Sequence, residues 1–396
     1  MYNMVLQNKG LECAFSMKKK SLLALLIAAV MLLSGCSLVL RDSAVDELQT
    51  IIEVNGEIIN KRDFMDAYSY YLSMEQYYAQ IYAQLGMSYT VDEQEVLNDT
   101  VSTLMTDLVL RQKLRELGLD VLSAEDEAAL DAEAQEDYQG HLDEVRENYF
   151  ADSELTGDAL DEAVAAYAEN TGYTLDAIRN NLKNTKLSDR LRAYVTDPVT
   201  IGDDELQAAL DEKIEAEKTS YASDLAAYGA AANKGTFTYY IPAGYRSVKL
   251  IEVAKPAAEE AADGAAEEEA KKPVEALAEA EALLQRLNDG EAIDALGVEA
   301  ASYAVCMDST DVDTAVVAAV FALTEKGAYT GIVETDAAFV IAQYADDVAE
   351  RSATLEETRD LLYDDTLKAA QDSAYNDAVN AWVEAADIRI YGDRLN

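Results

Sequence analysis

Positive charge, histidine and cysteine are all scarce in this chain. Its 76 Asp and Glu outnumber 31 Lys and Arg, leaving a formal net charge of −45. Such a surface repels phosphate backbones, which excludes nucleic acid as a partner. It also repels anionic lipid, so the folded body is expected to stand off a membrane rather than lie on it. Positively charged partners are attracted instead. The one histidine is His141, which rules out histidine-rich metal sites and paired-histidine chemistry. Its setting, Tyr138-Gln139-Gly140-His141-Leu142-Asp143, predicts an exposed helical position. A Ser–His–Asp arrangement around it stays formally open. No metal and no cofactor is expected.

What the chain does have first is a leader. Met17-Lys18-Lys19-Lys20 precedes an apolar run from Leu22 to Leu33, which ends in Leu33-Ser34-Gly35-Cys36. Lysines, a short apolar core and a small-residue cut site have the layout of a secretory signal. The core is too short for a spanning helix, which needs about 20 apolar residues. Leu-Ser-Gly-Cys resembles the bacterial lipobox, which implies lipidation at Cys36 and a mature chain starting there. Met17 is the expected start, with residues 1–16 as overhang and residues 37–49 as a spacer. The expected location is extracytoplasmic, on the outer face of a bacterial membrane. With Cys13 upstream and Cys36 lipidated, Cys306 has no partner for an intramolecular disulfide. It sits in an alternating apolar run and is expected to be a buried thiol.

Beyond the leader, Ile51–Ile59 reads as two strands about Asn55-Gly56, a strong hairpin signal. A helix follows from Lys61, carrying Phe64, Tyr68, Tyr70, Tyr71, Tyr77, Tyr78 and Tyr82, with Tyr89 at its exit. Spacings of three and four turn some of these rings to a core, whereas neighbours such as Tyr70-Tyr71 and Tyr77-Tyr78 cannot both face it. Thr90-Val91-Asp92-Glu93 reads as a capping box opening a second helix that ends at Gly118. Helices are expected from Ser123 to about Phe150, over Thr174–Tyr194 and over Gly202–Tyr228. Thr236–Tyr240 and Tyr245–Val253 alternate like strands about Pro242-Ala243-Gly244. Lys255–Pro273 is an Ala/Glu insert, read as a solvated loop. A helix Glu275–Leu287, a strand Ser302–Met307, a helix Thr314–Leu323 and a strand Gly331–Tyr344 complete a compact unit. Thr354-Leu355-Glu356-Glu357 caps a long final helix with Tyr375, Val379, Trp382 and Val383 on one face, and Ile388–Tyr391 is a short strand. Asp308, Asp311 and Asp313 lack the glycine and distal glutamate of a calcium loop, so a solvated acidic turn is expected.

This order resembles the PrsA- and SurA-type extracytoplasmic foldases. The resemblance is carried by Val54-Asn55-Gly56-Glu57-Ile58 with Lys61-Arg62-Asp63-Phe64, by Leu117-Gly118-Leu119, and by Val199-Thr200-Ile201-Gly202-Asp203-Asp204-Glu205-Leu206. Ala319-Val320-Phe321-Ala322-Leu323 with Gly327, and Thr335-Asp336-Ala337-Ala338-Phe339-Val340-Ile341, resemble segments of a parvulin-type prolyl isomerase. The implied fold is α+β: a mostly helical SurA-N-like chaperone lobe (residues 50–235 and a C-terminal helix, 351–396) around an inserted parvulin-like antiparallel-sheet domain (236–350). The family's two site histidines are replaced, the first at Lys249 or Leu250 and the second at Val340. Val312, Val316 and Phe339 are the pocket positions the resemblance implies. Phe321 and Ile341 are expected in the core.

Prolyl isomerisation crosses a barrier of about 18–20 kcal/mol without bond cleavage. Catalysis therefore needs an apolar grip on the ring and placed donors. Without the histidines, the resemblance implies weak or lost activity. Three functions stay open: a tethered chaperone binding newly exported, unfolded chains through Tyr68, Tyr71, Tyr77, Tyr78 and Tyr82; a working prolyl isomerase; and a structural lipoprotein with one dedicated partner. A homodimer is also left open.

Overall fold

A computed structural model describes residues 46–255 and 272–395. The expected leader, Cys36, and most of both the spacer and the Ala/Glu insert lie outside the described residues. Two units emerge: the chain to Val199 together with Ala369 onward, and Thr200–Lys368.

In the first unit, Asn55 and Gly56 both hold positive φ, +50° and +86°, as a two-residue hairpin turn requires. They join β1 (Thr50–Val54) to β2 (Glu57–Asn60), antiparallel with Ile52 opposite Ile59. Asn60 caps α1 (Lys61–Gln84), accepting from the Asp63 amide at 2.9 Å. α2 (Glu93–Glu116) is capped by Asp92, which accepts from the amides of Gln94 and Glu95 at 2.9 and 3.2 Å. The expected Thr90 box is thus displaced by two residues: a carboxylate adjoining the helix reaches two free amides and suits the positive end of its dipole.

Ser123 and Thr174 cap α3 (Ala124–Tyr149) and α5 (Leu175–Thr196) as expected. Between them lies α4 (Asp158–Asn170), which the apolar spacing does not signal because it buries only Val164 and Ala168. Charge ties α3 to α5. Asp126 meets Lys186 and Arg190 at 2.5 and 2.6 Å, while Glu127 meets Arg179 and Lys183 at 2.5 and 3.3 Å. Hydrogen bonding to Lys186 holds the Asp126 carboxyl down at about 2. His141 departs from expectation. Its ring is half-buried, 3.8 Å from the ring of Tyr173 just beyond the Gly172 turn.

The second unit begins with α6 (Asp203–Ser223) and α7 (Ala226–Ala232), where one continuous helix was expected. Both pack with the sheet region. Leu206, Leu210 and Ile214 of α6 cluster with Leu362, Tyr239 and Tyr240. The Glu217 carboxylate accepts from the amides of Tyr239 and Tyr240 at 2.7 and 2.8 Å, and burial pushes its pKa up. This packing places α6 and α7 in the same unit as the sheet.

β3 is only Tyr240–Ile241 and does not form a hairpin with β4 (Arg246–Ala254). The chain continues through α8 (Lys272–Asn288), β5 (Ala301–Val305), α9 (Thr314–Ala322), β6 (Val333–Glu334), β7 (Ala338–Asp347) and β8 (Arg351–Ser352). β3 pairs with β8, Tyr240 opposite Ser352, while the main sheet runs β5-β4-β7-β6, antiparallel throughout. Period-two alternation gives this sheet two apolar faces. Val248, Leu250, Val340 and Ala342 meet Val316, Val317 and Val320 of α9 on one side. Ile251, Val253, Phe339 and Ile341 meet Ala280, Leu283 and Leu287 of α8 on the other. Ile341 is fully buried, as expected of core. Phe321 is only half-buried, lying beside the Arg246 guanidinium at 4.7 Å.

Thr354 and Glu357 form the expected capping box at the start of α10 (Leu355–Ala385). Its opening turns pack in the second unit through Leu362, and its later turns in the first through Trp382 and Val383. β9 (Ile388–Ile390) then pairs with β1, giving the order β2-β1-β9. Ile51, Ile52, Val54 and Phe64 are fully buried beneath it. The fold is therefore α+β, a helical lobe and a sheet domain. Among the described residues, no helix is long and apolar enough to cross a membrane.

Candidate functional site

Four of the expected pocket and histidine-replacement positions come together. Leu250 on β4, Val340 on β7, Val312 before α9 and Val316 within it line one cavity of about 250 Å³. They share a face because Leu250 and Val340 both project to the α9 side of their strands, with Glu252 paired opposite Val340. Tyr303 of β5 and Ala338 close the apolar lining. Phe339 does not join them. One residue from Val340, it projects to the α8 face, where the Lys255 amine lies 4.9 Å from its ring. Lys249 points away too, paired to Asp294 at 2.5 Å.

The chemistry of the lining is spare. It contains no histidine, cysteine, lysine or arginine; its charged members are Glu252, Asp311, Asp313 and Asp336, all exposed. Asp313 caps α9 through the Ala315 amide at 2.8 Å, and Asp311 accepts from the Asn233 side chain. The Thr335 hydroxyl is engaged with the Ala338 amide at 3.0 Å. The cavity can hold an apolar ring, and its ionisable groups are the Tyr303 hydroxyl and these four exposed carboxylates. Among the described residues no acidic, histidine and cysteine cluster is arranged to hold a metal. Cys306 is fully buried, its amide donating to the Ser309 hydroxyl at 2.9 Å.

The tyrosines of α1 divide by face. Tyr68 packs on the Phe64 core. Tyr71 is half-buried, its pKa raised first by burial and then by the charge of Asp107 on α2. Tyr78 and Tyr82 are half-buried as well. Of the five candidates only Tyr77 stands well out, at 57% exposure, and Tyr70 joins it at 61%. Seven residues apart, the two lie on one stripe, about 10.5 Å along the axis. Beyond them Leu85, Met87 and Tyr89 are exposed, and Tyr89 stacks on Tyr82 at 5.2 Å. The Tyr89 hydroxyl bonds to Glu75, which with burial pushes its pKa up to about 12, so the ring stays neutral. Tyr70 and Tyr89 were recognisable in the sequence as ring neighbours, and Glu252 as the residue two along from Leu250. What the sequence did not give was which face each one takes.

A family model described as a SurA-like N-terminal domain matches residues 15–151. Foldase protein PrsA of Clostridium perfringens (strain ATCC 13124) is 26% identical over 201 residues, covering 49% of this chain and 52% of that protein. Its counterpart in Clostridium botulinum (strain Okra) is 24% identical over 197 residues, 49% of this chain and 54% of that one. The chain thus spans about half the length of the curated relatives it matches. Among solved structures, a SurA-like chaperone of Campylobacter jejuni aligns over 86% of this chain and 98% of its own, at 10% identity and a TM-score of 0.31. From the sequence matches, the chain is similar to PrsA foldases over about half its length, and residues 15–151 resemble a SurA-like N-terminal domain.

Proposed function

We propose that the chain is an extracytoplasmic chaperone, tethered by a lipid on Cys36, that holds newly exported unfolded polypeptides. The observation that carries this reading is the Tyr70–Tyr77 stripe continued by Leu85, Met87 and Tyr89. Exposed apolar patches on a folded protein mark interaction sites. Tyrosine adds amphipathic contact area at low entropic cost, which suits capture without sequence preference. A stripe about 10.5 Å long matches roughly three residues of extended chain. In this reading the sheet domain is a degenerate parvulin-like unit that offers unfolded segments a second contact without turning them over.

The test is suppression of aggregation of several unrelated reduced proteins by the full chain. Suppression of all of them supports the reading; binding to a single partner only would replace it with a dedicated lipoprotein. Cys36→Ala should release the protein from membranes, and retention there would mean a different anchor.

One observation favours a second reading, prolyl isomerisation: the apolar cavity at Leu250, Val312, Val316 and Val340. A protease-coupled proline-peptide assay separates the two. Rates near buffer are expected. Acceleration lost on Val316→Asp, in a variant shown by circular dichroism to fold, would establish the enzyme.

A further inference from the structure

We infer that the sheet-domain cavity selects a proline, or a ring of similar size, that sits next to a lysine or arginine. This inference rests on the reading that the cavity takes segments of unfolded clients, and it names which segments those are.

Size comes first. At about 250 Å³ the cavity falls below the 300–1,000 Å³ usual for small-molecule and cofactor sites, and so suits one side chain or ring. Its buried lining, Leu250, Val312, Val316, Ala338 and Val340, is entirely aliphatic. Such a lining strips water from whatever enters and offers no hydrogen bond in return, which disfavours a polar occupant.

Charge comes second, and it has one sign. Every ionisable group bordering this aliphatic lining, Tyr303 aside, is a carboxylate. Asp311 and Asp313 are committed to Asn233 and to the start of α9. Glu252 and Asp336 are exposed and have no hydrogen-bond or ion-pair partner among the described residues. Glu252 lies opposite Val340 in the sheet, and Asp336 two residues before Ala338, so both carboxylates border the entrance to the apolar space. The cation next to Asp336, Lys255, is taken up by Glu334 at 2.7 Å and the Thr335 carbonyl at 2.6 Å, and farther along the sheet Asp294 is paired with Lys249 at 2.5 Å. Two unpaired carboxylates bordering an aliphatic pocket complement an apolar ring whose chain neighbour carries a cation. They repel a ring flanked by an acid.

The test is fluorescence anisotropy of the full chain with three labelled tetrapeptides, Ala-Lys-Pro-Phe, Ala-Ala-Pro-Phe and Ala-Glu-Pro-Phe. The Lys-Pro peptide should bind about tenfold more tightly than the Glu-Pro peptide, the sum expected of two exposed ion pairs, with the Ala-Pro peptide between them. Glu252→Gln with Asp336→Asn should shrink that ratio to about twofold. Salt at about 0.5 M should do the same to the unaltered chain. Glu281→Gln, which removes one carboxylate on α8 across the sheet, should change nothing. Equal binding of all three peptides would overturn the charge selection while leaving the cavity reading in place. A preference that survives the double change, or that Glu281→Gln also removes, would assign it to net charge and overturn the inference. Binding of none of them would overturn the inference together with the cavity's role, and aggregation suppression would then decide the chaperone reading by itself.

Discussion

One pair of tyrosines in the first unit and one trio in the second are treated in opposite ways. On α1, Tyr70 and Tyr77 stand 61% and 57% exposed, whereas in the sheet domain Tyr221, Tyr228 and Tyr245 are 8%, 5% and 2% exposed. The buried three form successive edge-to-face pairs, with centroids 5.8 and 4.7 Å apart. Their hiding place is made by small neighbours. At Gly229 an added Cβ would lie 2.9 Å from both the Ala304 carbonyl and the Tyr245 ring. The Gly229 amide donates to the Tyr245 hydroxyl at 2.9 Å, which in turn donates to the Leu225 carbonyl. No such socket faces Tyr70 or Tyr77. A ring is structural where small residues and backbone groups receive it, and available for binding where they do not.

That contrast can be broken by mutation. The largest effect is expected for Tyr245→Ala, which empties a filled site and orphans the Gly229 amide, at a cost of about 3–5 kcal/mol. Urea denaturation should show it as an early loss of the sheet domain. A loss below about 1 kcal/mol would mean the socket collapses freely and the contrast is weak. Arg246→Met comes next. The guanidinium donates to the Val320 and Leu323 carbonyls at 2.8 and 3.1 Å and lies over Tyr344 at 4.1 Å. Losing these contacts should cost about 2 kcal/mol, read as a lower urea midpoint.

Acid sharpens the comparison from the helical side. The Asp126 carboxyl is held at about 2 by Lys186, Ser123 and Arg190. A depressed carboxyl stabilises the fold above its unfolded value near 3.9, and that contribution disappears as pH falls toward the folded value. The clasp between α3 and α5 should therefore hold from neutral pH to about 4 and loosen toward 2. Hydrogen exchange along α5 should rise over that window in the native chain, and less steeply in Asp126→Asn. Identical pH profiles would remove the clasp from the account. The smallest stability effect belongs to the exposed rings: Tyr70→Ser and Tyr77→Ser should each shift stability by no more than about 0.5 kcal/mol.

Much of this architecture was legible in the sequence because it rests on local chemistry. Asn55-Gly56, Ser123, Thr174 and the Thr354–Glu357 box act within a few residues, and each turn or cap stands where its residues suggest. What escaped depends on distant partners. β3 pairs with β8 across more than a hundred residues, so the local alternation of Thr236–Tyr240 pointed to the wrong neighbour. α4 buries too little to leave a stripe. In the cavity, the parvulin resemblance pointed to Leu250, Val312, Val316 and Val340, and these four line it together. Phe339 was misplaced because a strand turns adjacent residues to opposite faces, and which face α9 covers is a tertiary fact. The tyrosines carried the same ambiguity, settled only by the packing of α1 on α2.

The central claim, that exposed rings on α1 hold unfolded clients, is tested most directly by the double variant Tyr70→Ser, Tyr77→Ser. Its aggregation-suppressing activity on a reduced client should be compared with that of the unaltered chain at equal concentration. The account predicts a clear loss of suppression with an unchanged thermal midpoint. Full suppression by a correctly folded double variant would contradict it.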